Sequence, residues 1–114
     1  MQNQYFVYVV CGAREYLESL HISIQFLQAR TTKEIIIITD VDRNEIVIDF
    51  PNVVHVSTPK HLTNQQASIF LKTSVHRYLP TGNFYCYLDT DILALTTDID
   101  TVFDQYQAPN IYKK

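Results

Sequence analysis

The chain predicts an α/β fold, a mainly parallel, twisted sheet with helices on both faces. Three observations carry that expectation. Strand-length apolar runs alternate with helical apolar stripes, which is the pattern of successive βαβ units. One run, Glu34-Ile-Ile-Ile-Ile-Thr-Asp40, has four isoleucines in succession and no polar alternation, as in a strand buried on both faces. The breakers Gly12, Pro59, Pro80 and Gly82 stand between the runs.

Taken in order, Tyr5-Phe-Val-Tyr-Val-Val-Cys11 reads as the first strand, broken at Gly12. Glu15 to Arg30 reads as a helix, because Leu17, Leu20, Ile24 and Leu27 fall on one stripe and Arg30 suits the last turn. The isoleucine run is the second strand. In the next stretch Ile46, Ile48 and Phe50 alternate, which favours a short strand, while Asp42-Arg-Asn44 is turn-like and Pro51 terminates it. Val53-Val-His-Val56 is a further short strand. Thr63-Asn-Gln-Gln66 has capping-box spacing and opens a helix whose face is Ala67, Leu71, Val75 and Leu79. Phe84 to Leu88 is the last strand. Thr97-Asp-Ile-Asp100 repeats the capping-box spacing before a helix with Ile99, Val102, Phe103 and Tyr106 on its stripe.

Size and composition bound the function. The 114 residues suffice for one domain, 1–114, and are 46% hydrophobic and 18% charged. A net charge of −3 with no dense Lys/Arg cluster argues against a nucleic-acid surface. The apolar stretch 5–11 is too short for a signal peptide core or a membrane span. Cys11 and Cys86 both fall in strands and lack zinc-site spacing, so reduced thiols and a cytoplasmic setting are expected. His21, His55, His61 and His76 form no i, i+4 pair or convergent set and read as surface or capping residues, and Arg43 and Arg77 read as solvated charges. With only two glycines, a phosphate-cradling Gly-rich loop is excluded, and no nucleophile-elbow pattern occurs.

The feature that points to chemistry is Asp89-Thr-Asp91, two carboxylates one residue apart at the end of the apolar strand 84–88. Unpaired, such groups repel each other and lose hydration, so a cation between them is favoured. Their hard oxygens suit magnesium, manganese or calcium. A solvated turn or helix cap is the alternative. In a parallel sheet ligands sit beyond the carboxyl ends of the strands, where Gly12-Ala13, Asp40 and the acidic pair are expected to converge.

Along nearly its whole length the chain resembles the amino-terminal half of nucleotide-diphospho-sugar glycosyltransferases of the GT-A fold, with their Rossmann-like sheet, and most closely the galactosyltransferase- and glycogenin-like branch (family 8). Four segments in order carry the resemblance: Cys11-Gly-Ala-Arg-Glu-Tyr16, Ile38-Thr-Asp40, the helix residue Lys72, and Tyr87-Leu-Asp-Thr-Asp-Ile-Leu-Ala-Leu followed by Asp98-Ile-Asp-Thr-Val-Phe103. The resemblance implies a nucleotide-sugar site built from Cys11, Gly12, Ala13, Tyr16, Asp40, Lys72 and Asp89. It implies Mn2+ or Mg2+ on Asp89 and Asp91, a UDP-sugar donor, and a glycan, lipid or protein acceptor. Tyr16 would stack on the base or else pack in the core. Asp40 would meet uracil or ribose or else close a turn. Lys72 would reach the nucleotide sugar or else be solvated.

The chain also departs from that family. Ala13 stands where many members carry an Asp that meets the uracil, and the acceptor half and the carboxyl-terminal His of the metal shell have no counterpart. The expectation is therefore a donor-binding half, either a fragment of a longer transferase or a truncated relative, that is catalytically incomplete alone. Two other readings stand beside it. A haloacid-dehalogenase-like phosphohydrolase also places Asp-x-Asp after a strand, but Leu93 stands where it wants Thr or Val, and its motif belongs on the first strand. A half-domain with an open sheet edge is alternatively a nucleotide-binding or self-association module, for which a homodimer or larger assembly is expected.

Overall fold

A computed structural model describes residues 3–90 together with 93, 99, 100 and 103. Within them four strands form an all-parallel sheet flanked by two helices: β1 (Gln4–Val9), α1 (Arg14–Gln28), β2 (Glu34–Thr39), β3 (Val53–His55), α2 (Asn64–Ser74) and β4 (Phe84–Leu88). The strand order is β3-β2-β1-β4, so β1 is central and pairs with β2 on one side and β4 on the other.

This order explains why the helices lie on opposite faces. The chain steps from β1 to β2 in one direction and from β3 back across to β4 in the other. Crossovers of a single hand then place α1 and α2 on opposite sides. The cores follow from the two-residue period of the strands. Phe6, Tyr8 and Val10 with Ile35 and Ile37 meet Leu17, Leu20, Ile24 and Leu27 of α1. Val7, Ile36 and Ile38 meet Ala67 and Leu71 of α2 on the other face, joined by Val75 and Leu79 beyond its end. The four-isoleucine run is thus split between two cores, as its lack of alternation required. Phe103 closes the α1 side edge-on to Phe6, with 5.0 Å between ring centroids.

Most elements sit close to their expected bounds, but α2, expected to run to Pro80, ends at Ser74 and gives way to a 3-10 turn over Val75–Arg77, and one further segment departs from expectation. Residues 46–50 form no strand. Ile46, Ile48 and Phe50 instead pack as irregular backbone against the α1-face core. They occupy the place a crossover helix between β2 and β3 would fill. Their alternation reports one-sided burial rather than strand pairing. The capping box at α2 is complete: Thr63 Oγ1 accepts from the Gln66 N–H at 3.1 Å and Gln66 Oε1 from the Thr63 N–H at 2.9 Å. The expected last helix and its capping box fall largely outside the described residues, as does Asp91. Cys11 and Cys86 are free thiols belonging to opposite faces of the sheet. No helix among the described residues is long and apolar enough to cross a membrane.

Candidate functional site

The strand order reverses between β1 and β4, and at such a switch point the loops that follow the strands diverge and leave a crevice. A cleft of about 580 Å3 opens there. Its floor is Val9, Val10 and Cys11 at the end of β1. One wall comes from the start of α1 (Ala13, Glu15, Tyr16, Ser19), another from α2 (Asn64, Gln65, Ser68, Lys72), and Asp89 and Thr90 after β4 close it. Its volume lies inside the roughly 300–1,000 Å3 range of small-molecule sites. A side groove of about 290 Å3, floored by Val7, Val9, Val75 and Leu88, joins it at Lys72 and Asp89.

Five of the sequence-derived candidates line this cleft: Cys11, Ala13, Tyr16, Lys72 and Asp89. Tyr16 is 60% exposed, which overturns the core alternative for that ring. Gly12 is buried beneath the lining, between Cys11 and Ala13. Its φ of +104° is a conformation that side chains resist, and a Cβ there would meet the Asn64 side chain at 2.8 Å. Lys72 is the one cation among the described lining residues, which also include Glu15 and Asp89. Sequence reasoning missed Asn64 and Ser68. With Lys72 they recur every four residues beside the apolar stripe Ala67, Leu71, Val75, and that spacing was a readable signal.

Asp40 departs from expectation. It follows β2, on the far side of β1 from the cleft, and it is almost wholly buried. Its Oδ2 accepts from the Thr58 N–H at 2.8 Å and the Thr58 hydroxyl at 2.6 Å, and its Oδ1 from the Asp42 N–H at 3.1 Å. Burial acts to raise its pKa, but the Thr58 side-chain and backbone bonds, the Asp42 N–H and the nearby His55 outweigh it. The carboxyl is held below its ordinary value. Asp40 therefore pins the β3–α2 connection to the end of β2.

Arg43 is a second correction. Far from solvated, its side chain is only 13% exposed, and its guanidinium spans that same connection. Nε donates to Thr58 Oγ1 at 2.6 Å, Nη1 to the Leu62 carbonyl at 2.8 Å and Asn64 Oδ1 at 3.2 Å, and Nη2 to the Pro59 carbonyl at 2.6 Å. The next two residues reach the opposite loop. Asn44 Oδ1 accepts from the Gly12 N–H at 2.9 Å, and its Nδ2 donates to Thr39 Oγ1 at 3.0 Å. The Glu45 N–H donates to the Gly12 carbonyl at 2.9 Å, while Glu45 Oε1 accepts from the Arg14 N–H at 3.0 Å.

One histidine also stands beside carboxylates, an arrangement the sequence did not suggest. His55 stands with Asp40 and Asp42 so that one ligand atom of each lies within 4.8 Å of the others, a spacing a metal ion accepts. Part of this set is already engaged: His55 Nδ1 accepts from the Val41 N–H at 3.1 Å, and the Asp40 oxygens take three donors. An ion there would compete with bonds that hold the turn.

Compared with protein-family models, curated proteins and solved structures, the chain matches none of them.

Proposed function

We propose that this chain binds a nucleotide-diphosphate sugar through a divalent cation, as the donor-binding part of a metal-dependent glycosyltransferase of the GT-A type, with a Rossmann-like sheet. The observation that supports it is the cleft at the β1/β4 switch point, which gathers Cys11, Ala13, Tyr16, Lys72 and Asp89 from three separate parts of the sequence. Four of the five, Cys11, Tyr16, Lys72 and Asp89, lie in the segments that carry the resemblance to that family, while Ala13 is a departure within the first of them.

The residues divide the ligand between them. The exposed ring of Tyr16 offers an aromatic face to a base. The Lys72 ammonium offers a positive charge to phosphate or sugar oxygens. The carboxylate of Asp89 offers hard oxygen to Mn2+ or Mg2+, with Asp91, two residues on in the sequence, as its partner. A cation held there would neutralise the charge that gathers on a departing nucleoside diphosphate. Ala13 offers no carboxylate to a base, which leaves recognition of the nucleotide to Tyr16 and backbone groups.

The test is a thermal melt of the chain with Mn2+ and UDP, separately and together, beside Asp89→Ala/Asp91→Ala and Lys72→Ala. A ligand at about 100 times its dissociation constant adds roughly 2.7 kcal/mol, a rise of about 10 °C or more for a domain of this size. Stabilisation that needs both ligands and vanishes in the double variant supports the reading. A folded protein that neither ligand stabilises sinks it, and turnover of an aryl phosphate would redirect the site to phosphohydrolysis.

A further inference from the structure

The cleft walls belong to segments far apart in sequence, yet one three-residue turn touches both of them. Arg43 binds the connection before α2 through the Leu62 and Pro59 carbonyls, and it holds the side chain of the wall residue Asn64. Asn44 binds the backbone of Gly12, the residue between lining residues Cys11 and Ala13. Glu45 binds Gly12 from its other side and accepts from the first N–H of α1, two residues before Tyr16. The two walls meet where the Asn64 side chain fills the space a Cβ on Gly12 would need. None of Arg43, Asn44 or Glu45 lines the cleft.

We propose that Arg43, Asn44 and Glu45 are positioning residues for the cleft ligand, setting the spacing between the α1 wall and the α2 wall without touching the ligand. The inference rests on the cleft being a binding site, as read above. Its physical basis is preorganisation. Walls held in the bound geometry before the ligand arrives lose less entropy on binding, and the ligand then binds more tightly with no added contact. The α1 entry depends on this most, because Ala13 at its amino end has no side-chain cap and Glu45 supplies the missing acceptor from 31 residues away.

The test uses the full chain and two readouts. UDP with Mn2+ is titrated calorimetrically into Asn44→Ala, Asn44→Asp, Glu45→Ala and Glu45→Gln. In parallel, native-state maleimide labelling of Cys11, 2% exposed on the cleft floor, is followed by peptide mass spectrometry. The alanine variants remove the side-chain acceptor. Asn44→Asp and Glu45→Gln each retain an acceptor oxygen and serve as rescues. Ile35→Val, a core change at the far end of β2, lowers stability alone and serves as the control.

The expected result is binding about tenfold weaker in each alanine variant, one hydrogen bond's worth, and Cys11 labelling several-fold faster. Both return towards the wild-type level in the conservative variants and stay there in Ile35→Val. Glu45 is exposed, so Glu45→Ala keeps the test open even where Asn44→Ala fails to fold. Wild-type binding and wild-type labelling in folded Glu45→Ala would overturn the proposal, as would an equal response in Ile35→Val. Should UDP and Mn2+ fail to bind the wild type while Cys11 labelling still follows the pattern, the nucleotide reading falls and the positioning role stands. A flat labelling profile would remove that as well.

Discussion

Replacing Arg43 with methionine isolates the charge and hydrogen bonds of the guanidinium while keeping much of its apolar stem. Four donor contacts are lost, to Thr58, Leu62, Pro59 and Asn64, together with an ion pair to Asp40 at 3.6 Å. Breaking a wholly buried pair costs about 3–5 kcal/mol, and an exposed pair contributes about 0–1 kcal/mol. Arg43 lies nearer the buried end at 13% exposure, but Asp40 keeps three other donors and Pro59 and Leu62 are half-buried, so water can reach part of the wound. The expected loss is about 2–4 kcal/mol, a large share of the roughly 5–15 kcal/mol that stabilises a domain. With an m-value of about 1.5 kcal/mol/M, the urea midpoint should fall by about 1.3–2.7 M. Arg77→Met, at an exposed arginine, should stay within about 0.5 kcal/mol. A midpoint shift for Arg43→Met as small as that of Arg77→Met would refute the claim that Arg43 organises the rim.

Gly12→Ala should cost about 2 kcal/mol or more, from the positive φ and the collision with Asn64. Gly82→Ala, also at positive φ but with open space around it, should cost about 1 kcal/mol, so the difference between the two urea midpoints measures the collision. Because the folded Asp40 carboxyl has a lowered pKa, its stabilisation is complete above the ordinary value of 3.8 and is lost as pH falls through the lower folded value. Urea midpoints from pH 5 downwards should show that slope in the wild type and a shallower one in Asp40→Asn. Burial pushes the Cys86 thiol up to about 11, so its alkylation in the folded chain should rise about tenfold per pH unit between pH 8 and 10. A plateau near pH 9 would contradict the burial.

Much of the fold was legible because its signals are local. The isoleucine run, the α1 stripe and the Thr63 capping box each depend on residues within a turn or two of one another, and β2, α1 and the start of α2 formed close to where they were expected. The misread segment, 46–50, shows the limit of periodicity, since alternation records which side chains are buried and not what the backbone pairs with. Arg43 was illegible for a related reason. Its four acceptors, at positions 58, 59, 62 and 64, are all distant in sequence, and two of them are carbonyls that every residue possesses. Asp40 was grouped with the cleft because all strands of a parallel sheet end at one rim. The strand order, invisible in the sequence, puts β2 on the other side of the switch point from β4.

The register Gln4 to Phe84 joins β1 to β4, the first and last strands among the described residues. Closing so long a loop is slow compared with forming the β1–α1–β2 unit, whose partners are close in sequence. The cleft has no complete form until β4 docks, since Asp89 and Thr90 arrive with it. A nascent or partly unfolded chain would thus carry the Tyr16 and Lys72 walls without their closing edge. On the proposed reading of the cleft, a bound nucleotide would favour the β4-docked form and slow hydrogen exchange first in the β4 amides.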